Sequence, residues 1–228
     1  FRDYQRYCFK IAVFEAVVIR RMIPVNALST VLWRTAFHIA FDWIYKVDVV
    51  GRENFPKEGP VIVSPNHLSN NDPPVIGHAL PRHVHFMAKA ELFKNPFLRI
   101  IVEWLGAFPV RRGGVDKLAI RHAMKLLKDN LVLGIFPEGS RQKPGKLGRF
   151  HDGVASMALR TGVSVVPVVV IGTHAMRRGH IACVIGKPIP VERAKATPEA
   201  IDEFNAKLKG IMEGMISDYK ASHPGFEG

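Results

Sequence analysis

The sequence predicts an α/β protein with a mixed, largely parallel sheet flanked by helices. Three observations lead there. Short runs such as Pro60-Val61-Ile62-Val63, Leu131-Val132-Leu133-Gly134-Ile135 and Val165-Val166-Pro167-Val168 are apolar throughout instead of alternating, as strands buried on both faces are. Segments with helical patterning separate these runs. The 228 residues, 47% of them hydrophobic, suffice for one sizeable core.

In chain order, strands are expected at 45–50, 61–64, 84–88, 107–110, 131–136, 165–171 and 181–185. Helices are expected at 73–80, 96–105, 115–130, 153–160 and 198–219. The first of these helices opens at Asp72-Pro73, with proline at its first position, where the missing N–H costs nothing. The longest uncharged run, 161–176, is Val-rich and contains Pro167, so it reads as a buried strand and its loop. Lys187-Pro188-Ile189-Pro190 and the tail after His223 mark local breaks. No repeat or inter-domain linker is visible, which gives one main domain, 47–228, behind an N-terminal attachment, 1–46.

That attachment is apolar but interrupted by Lys10, Glu15, Arg20, Arg21, Arg34 and Asp42, so no uncharged run there reaches the ~20 residues that span a bilayer. Between 31 and 46, helical spacing puts Arg34, His38, Asp42 and Lys46 on one stripe and Trp33, Phe37, Phe41 and Ile44 on a broadly opposed face. Such a helix serves either a membrane interface or a protein core. An amphipathic helical pair lying in the membrane interface, without a full span, is the expectation adopted.

Two cysteines, Cys8 and Cys183, give neither a disulfide framework nor a CxxC pair, in keeping with a reducing, cytoplasmic-side location. The chain opens on Phe1, and no signal-peptide cleavage pattern is visible. A net charge of +12 calls for an anionic partner: nucleic acid, anionic lipid or a phosphorylated substrate. Arg141, Lys143, Lys146 and Arg149 form a basic run without an acid, suited to anionic groups or to plain solvation.

The chemistry-bearing residues follow the apolar runs. After 60–63 comes Asn66-His67-Leu68-Ser69-Asn70-Asn71-Asp72-Pro73-Pro74. A neutral imidazole takes a proton from an alcohol when one ring nitrogen is free and the other holds its proton against an acceptor. Asp72 is a candidate acceptor. On one continuous helix a five-residue step turns about 140°, so the pair meets only if a turn intervenes. Ser69, Asn70 and Asn71 supply turn and cap formers. After 131–135 comes Phe136-Pro137-Glu138-Gly139-Ser140-Arg141, offering a carboxylate, a flexible glycine, a hydroxyl and a guanidinium able to bind phosphate bidentately. Between them lies Gly106-Ala107-Phe108-Pro109-Val110-Arg111-Arg112-Gly113-Gly114. His83 and His85 would share a strand face as metal ligands can, but no further ligand is spaced to complete a site. Neither Gly-x-Ser-x-Gly, Walker A nor Gly-x-Gly-x-x-Gly occurs, which removes the serine-hydrolase, P-loop and Rossmann signatures.

The ordered set of Asn-His-x4-Asp, Gly-x-Phe-Pro-Val-x-Arg, Phe-Pro-Glu-Gly-Ser-Arg and Val165-Val166-Pro167-Val168 resembles the four blocks of PlsC-type glycerolipid acyltransferases, bacterial 1-acyl-sn-glycerol-3-phosphate acyltransferases above all. The blocks span 66–168. The resemblance implies His67 as general base and Asp72 as the residue orienting it, with the acceptor hydroxyl attacking the thioester directly. It implies Arg112, Glu138, Gly139, Ser140 and Arg141, together with Lys89, as substrate-binding residues. Arg111 departs from the pattern, standing where other members often carry an acid. Lysophosphatidic acid is the implied acceptor, with glycerol-3-phosphate or another lysolipid as alternatives. The donor would be acyl-CoA or an acyl carrier protein, with no metal or cofactor. The protein would then act peripherally or monotopically on the cytoplasmic face of the cell membrane. A nucleic-acid-binding module would explain the charge but leave His67, Asp72 and the Glu-Gly-Ser-Arg loop idle, so no nucleic-acid partner is expected. A silent lipid-binding protein would explain the helices and arginines alone.

Overall fold

The computed structural model describes residues 45–111, 114–175 and 181–224. The chain divides into compact units 1–45 and 46–228, and the second is described below. The expected N-terminal helical pair and Arg112 lie outside the described residues.

Seven strands are present among the described residues: β1 (Val47–Val50), β2 (Val61–Pro65), β3 (Val84–Lys89), β4 (Phe108–Val110), β5 (Val132–Gly134), β6 (Val165–Ile171) and β7 (Ile181–Ile185). They are accompanied by helices α1 (Asp72–Ala79), α2 (Pro96–Trp104), α3 (Lys117–Lys128), α4 (Gly153–Thr161) and α5 (Pro198–Ser222). The strands form one sheet in the order β1-β7-β6-β2-β5-β3-β4. Every neighbouring pair is parallel except β6 with β7.

The apolar runs are strands because both faces of the sheet are covered. All seven residues of β6 are buried. Val165, Val169 and Ile171 join the cluster formed with α3, α4 and α5, while α1, burying Val75, Ile76 and Ala79, also packs on β6. Full burial of one Val or Ile side chain stabilises by about 1.5–3 kcal/mol, so these strands cannot face water without a large loss. In α3, Ala119, Ala123, Leu126 and Leu127 repeat at helical spacing on the buried face. Asp116 caps this helix, accepting from the N–H of Leu118 and of Ala119 at 3.1 Å each. Thr197 caps α5 in the same way, its hydroxyl accepting from the N–H of Ala200.

β5 falls furthest short of its expected span of 131–136. β5 ends at Gly134, although Ile135 still donates its N–H to the Val63 carbonyl at 3.0 Å. Pro137 has no N–H to continue the ladder, so the apolar run leaves the sheet before Phe136. That early exit releases the following loop toward the end of β2.

Candidate active site

β2 lies at the centre of the sheet between β5 and β6 and runs parallel to both. The carboxyl ends of all three strands therefore open on one edge. Ligands of such sheets bind outside the carboxyl ends, where neighbouring strands connect in different directions. The His67 turn follows β2, the Glu138 loop follows β5 and Thr173 follows β6. Lys89 and Arg111 come at and just after the ends of β3 and β4, which pair parallel in the same sheet.

Asn66 makes the transition from strand to turn. Its Nδ2 donates to the Val170 carbonyl at 3.0 Å and its Oδ1 accepts from the Val170 N–H at 2.7 Å. The side-chain amide thus stands in for a peptide group and extends the ladder by one rung beyond β2. The chain then turns through Leu68 and Ser69 so that His67 Nδ1 lies 2.7 Å from Asp72 Oδ2. Asp72 is fully buried, whereas the His67 side chain keeps 16% exposure.

Four donors converge on this carboxylate. Oδ2 accepts from the N–H of Leu68 at 2.7 Å and of Ser69 at 2.8 Å as well as from His67, and Oδ1 accepts from the Thr173 hydroxyl at 2.5 Å. A carboxylate offers only acceptors, so the Nδ1 facing it is the nitrogen that carries the proton. Nε2 is left as the basic nitrogen. The same turn explains how residues five apart meet, because His67 precedes α1 and Asp72 begins it.

The loop after β5 holds His67 from behind. Its N–H donates to Glu138 Oε2 at 2.8 Å and its carbonyl accepts from the Gln142 N–H at 2.8 Å. The imidazole stacks on Phe136, with centroids 4.1 Å apart and planes at 26°, and Phe136 stacks on Phe86 of β3 at 5.5 Å. Gly134 makes room for this pile, since a Cβ there would meet the Phe86 ring.

Glu138 is buried behind His67. Its carboxylate is 2% exposed and turned inward, with Oε1 accepting from the Gly148 N–H at 2.8 Å and Oε2 from His67. Both oxygens accept from backbone N–H groups, one of them that of His67. Burial pushes its carboxyl above the usual range, against the pull of the Gly148 and His67 N–H groups. Gly139 follows at φ 62, a left-handed turn residue, and Ser140 and Arg141 are exposed on the same loop. Ser140 Oγ accepts from Gln142 Nε2 at 3.3 Å. Lys89 is exposed, its Nζ 3.6 Å from Glu91 Oε1. The structure therefore brings His67, Asp72 and Glu138 into direct contact, with Gly139, Ser140 and Arg141 continuing from them.

Sequence reasoning missed Thr173, the Asn66 clamp and the Phe136–Phe86 stack. Thr173 is 101 residues from Asp72 and belongs to no local pattern. Asn66 was within the motif, but its role depends on β6. Cys183 carries no chemistry here: it is fully buried in β7, and burial, then the charge of Asp72, push its thiol up to about 12.

Residues 46–171 match the protein-family profile described as Acyltransferase. Among curated proteins, the chain is 32% identical over 151 residues to the 1-acyl-sn-glycerol-3-phosphate acyltransferase of Borreliella burgdorferi, covering 64% of this chain and 60% of that protein. It is 31% identical over 183 residues to the chloroplastic 1-acyl-sn-glycerol-3-phosphate acyltransferase LPAT1 of Arabidopsis thaliana, covering 74% of this chain and 50% of that one. The chain thus spans about half to three fifths of the length of these relatives. The crystal structure of the 1-acyl-sn-glycerophosphate acyltransferase PlsC from Thermotoga maritima superposes with a TM-score of 0.71 at 26% identity, covering 94% of this chain and 93% of that one.

Proposed function

Because this chain belongs to the acyltransferase family, we propose that it transfers a fatty acyl group from acyl-CoA or acyl carrier protein to the free hydroxyl of 1-acyl-glycerol-3-phosphate, giving phosphatidic acid. The observation that carries this reading is the 2.7 Å contact between His67 Nδ1 and a fully buried Asp72. With Nδ1–H held by the carboxylate, Nε2 takes the hydroxyl proton as the acceptor oxygen bonds to the thioester carbonyl carbon. The tetrahedral intermediate collapses, the carbon–sulfur bond breaks, and the imidazolium returns the proton to the departing thiolate. Atoms and charge balance without a covalent acyl-enzyme. A positioned base of this kind contributes on the order of 10² to 10⁴ in rate.

Glu138 and Gln142 fix the backbone of the base, while Arg141, Ser140 and Lys89, with Arg112, are the groups proposed to receive the acceptor phosphate. A guanidinium meets a phosphate with two parallel N–H donors. A lipid acceptor and the basic charge of the chain both support work at a membrane surface, proposed to be its cytoplasmic face, with residues 1–46 as interfacial helices. Among the described residues, no helix is long and apolar enough to cross a membrane.

The test is thiol release from acyl-CoA by the purified protein in detergent, with lysophosphatidic acid or glycerol-3-phosphate as acceptor. Acceptor-dependent release that disappears in His67→Ala supports the reading and identifies the acceptor. No release with either acceptor, nor with an acyl carrier protein donor, removes it.

A further inference from the structure

Asp72 meets the His67 ring at an edge, because a ring N–H lies in the imidazole plane. One face of the same ring is covered by Phe136, with centroids 4.1 Å apart and planes at 26°. The carboxylate and the phenyl ring therefore reach the imidazole from different directions and do not compete for it. The His67 side chain keeps only 16% exposure, so water does little to screen either contact.

The sheet fixes which part of Phe136 the imidazole sees. Phe86 of β3 pairs with Gly134 of β5 in the ladder, and a Cβ on Gly134 would collide with the Phe86 ring. A glycine at 134 lets that ring, 3% exposed, stack on Phe136 at 5.5 Å with planes at 20°. Phe136 is near-parallel to both rings, so it offers His67 its π face and not its edge. That face carries negative charge density, whereas the edge is positive. A neutral imidazole gains dispersion from such a stack. An imidazolium gains the same dispersion and, in addition, the attraction of a cation to the π face.

We infer that Phe136 is a positioning residue of the reaction, its π face holding the His67 ring and stabilising the imidazolium formed as the acceptor hydroxyl gives up its proton. The inference rests on the acyl-transfer reading above for that proton, which passes from the hydroxyl to Nε2 and then to the departing thiolate. The attraction is absent before the proton moves and present once it has moved. An interaction stronger in the transition state than in the ground state raises kcat and leaves KM unchanged. Phe86 and Gly134 serve the base at one remove, by keeping the Phe136 ring face-on.

Ring fluorination tests this, because it withdraws charge from the π face while barely changing the size of the ring. The full chain is prepared with 4-fluoro-, 3,5-difluoro- and 3,4,5-trifluorophenylalanine at position 136, and thiol release is measured over a range of donor and acceptor concentrations. The logarithm of kcat falls in proportion to the number of fluorines, reaching about tenfold with three, while both KM values stay within twofold. Tenfold corresponds to 1.36 kcal/mol, inside the range of a cation held over an aromatic face. Phe136→Leu, apolar but without a π face, lowers kcat at least as far; should it fail to fold, the fluorinated series decides alone. The same series at Phe204, a core residue of α5, changes kcat less than twofold. A kcat within twofold across the series at 136 overturns the inference, as does an equal fall at 204. An acceptor KM that rises with kcat unchanged also overturns it, since the ring then touches substrate. If wild type releases no thiol with any donor and acceptor, the acyl-transfer reading fails and takes this inference with it; an active wild type indifferent to fluorination removes the inference alone.

Discussion

Asp72→Asn separates the charge of the dyad from its geometry. The asparagine is nearly isosteric, and its carbonyl oxygen can occupy the Oδ2 position that accepts from His67, Leu68 and Ser69. Its NH₂ then meets Thr173 Oγ1, which can rotate to accept, so the turn keeps its hydrogen bonds. What disappears is the negative charge beside an imidazole that becomes positive as it takes the acceptor proton. With Nδ1 and Oδ2 at 2.7 Å, the charge centres lie about 4 Å apart, and at an effective dielectric constant near 20 their attraction is about 4 kcal/mol. Each 1.36 kcal/mol is tenfold in rate, so kcat should fall about 10³-fold. Initial rates of thiol release at saturating donor and acceptor measure this, with both KM values expected within threefold of wild type. Thr173→Val serves as control: it removes one donor to Asp72 but keeps the charge, and kcat should fall by less than tenfold. A kcat for Asp72→Asn within tenfold of wild type would refute the assignment of the carboxylate as electrostatic partner of the base.

Two further outcomes follow from the same contacts. Glu138→Gln places an NH₂ against one of the two N–H groups that the carboxylate now accepts from, and loss of a charged, buried hydrogen bond costs about 1.5–3 kcal/mol. Thermal unfolding should move down by several degrees, at ~2–4 °C per kcal/mol for a domain of this size, and kcat should fall while the acceptor KM stays put; an acceptor KM that rises with kcat unchanged would make Glu138 a substrate ligand after all. The second concerns His85 and His122. Burial first, then the nearby His122, hold His85 below its ordinary value against a hydrogen bond with Gly106, and burial with Lys125 does the same for His122. Their folded-state values are lowered, so the unfolded chain binds protons first as pH falls through about 6.5, and stability drops below that pH. Denaturant midpoints of wild type and His85→Asn/His122→Gln between pH 7.5 and 5 should diverge, wild type losing more; parallel curves would sink this account.

The parts of the fold that rest on local physics were legible in the sequence. Val165–Ile171 is apolar throughout because α5 and α1 cover its two faces, and Lys117–Lys128 repeats its buried alanines and leucines at helical spacing behind a capping aspartate. His67 and Asp72 were legible because one short turn brings them together. The inward turn of Glu138 was not, because its partners His67 and Gly148 lie 71 and 10 residues away and nothing in Phe-Pro-Glu-Gly-Ser-Arg indicates which way the carboxylate points. Thr173 was hidden for the same reason. The end of β5 was misjudged because apolar character continues past Gly134 to Phe136, whereas the ladder depends on an N–H that Pro137 lacks.

The first strand of the sheet pairs with the last, Val47 opposite Ile181, and is further tied by Tyr219 donating its hydroxyl to Asp48 Oδ2 at 2.7 Å. On a ribosome this sets an order of events. β2 through β6, and Thr173 after them, emerge and can assemble the His67–Asp72–Thr173 contacts while β1 still waits for its partner. At ~5–20 residues per second that wait is on the order of ten seconds, during which Val-Asp-Val-Val is an unpaired strand open to other nascent chains. α5 follows all seven of these strands in the chain, so the Tyr219 lock on β1 arrives only after β7 itself. Slowing translation before residue 181 would therefore prolong a species with a formed His67–Asp72 pair and an unpaired first strand.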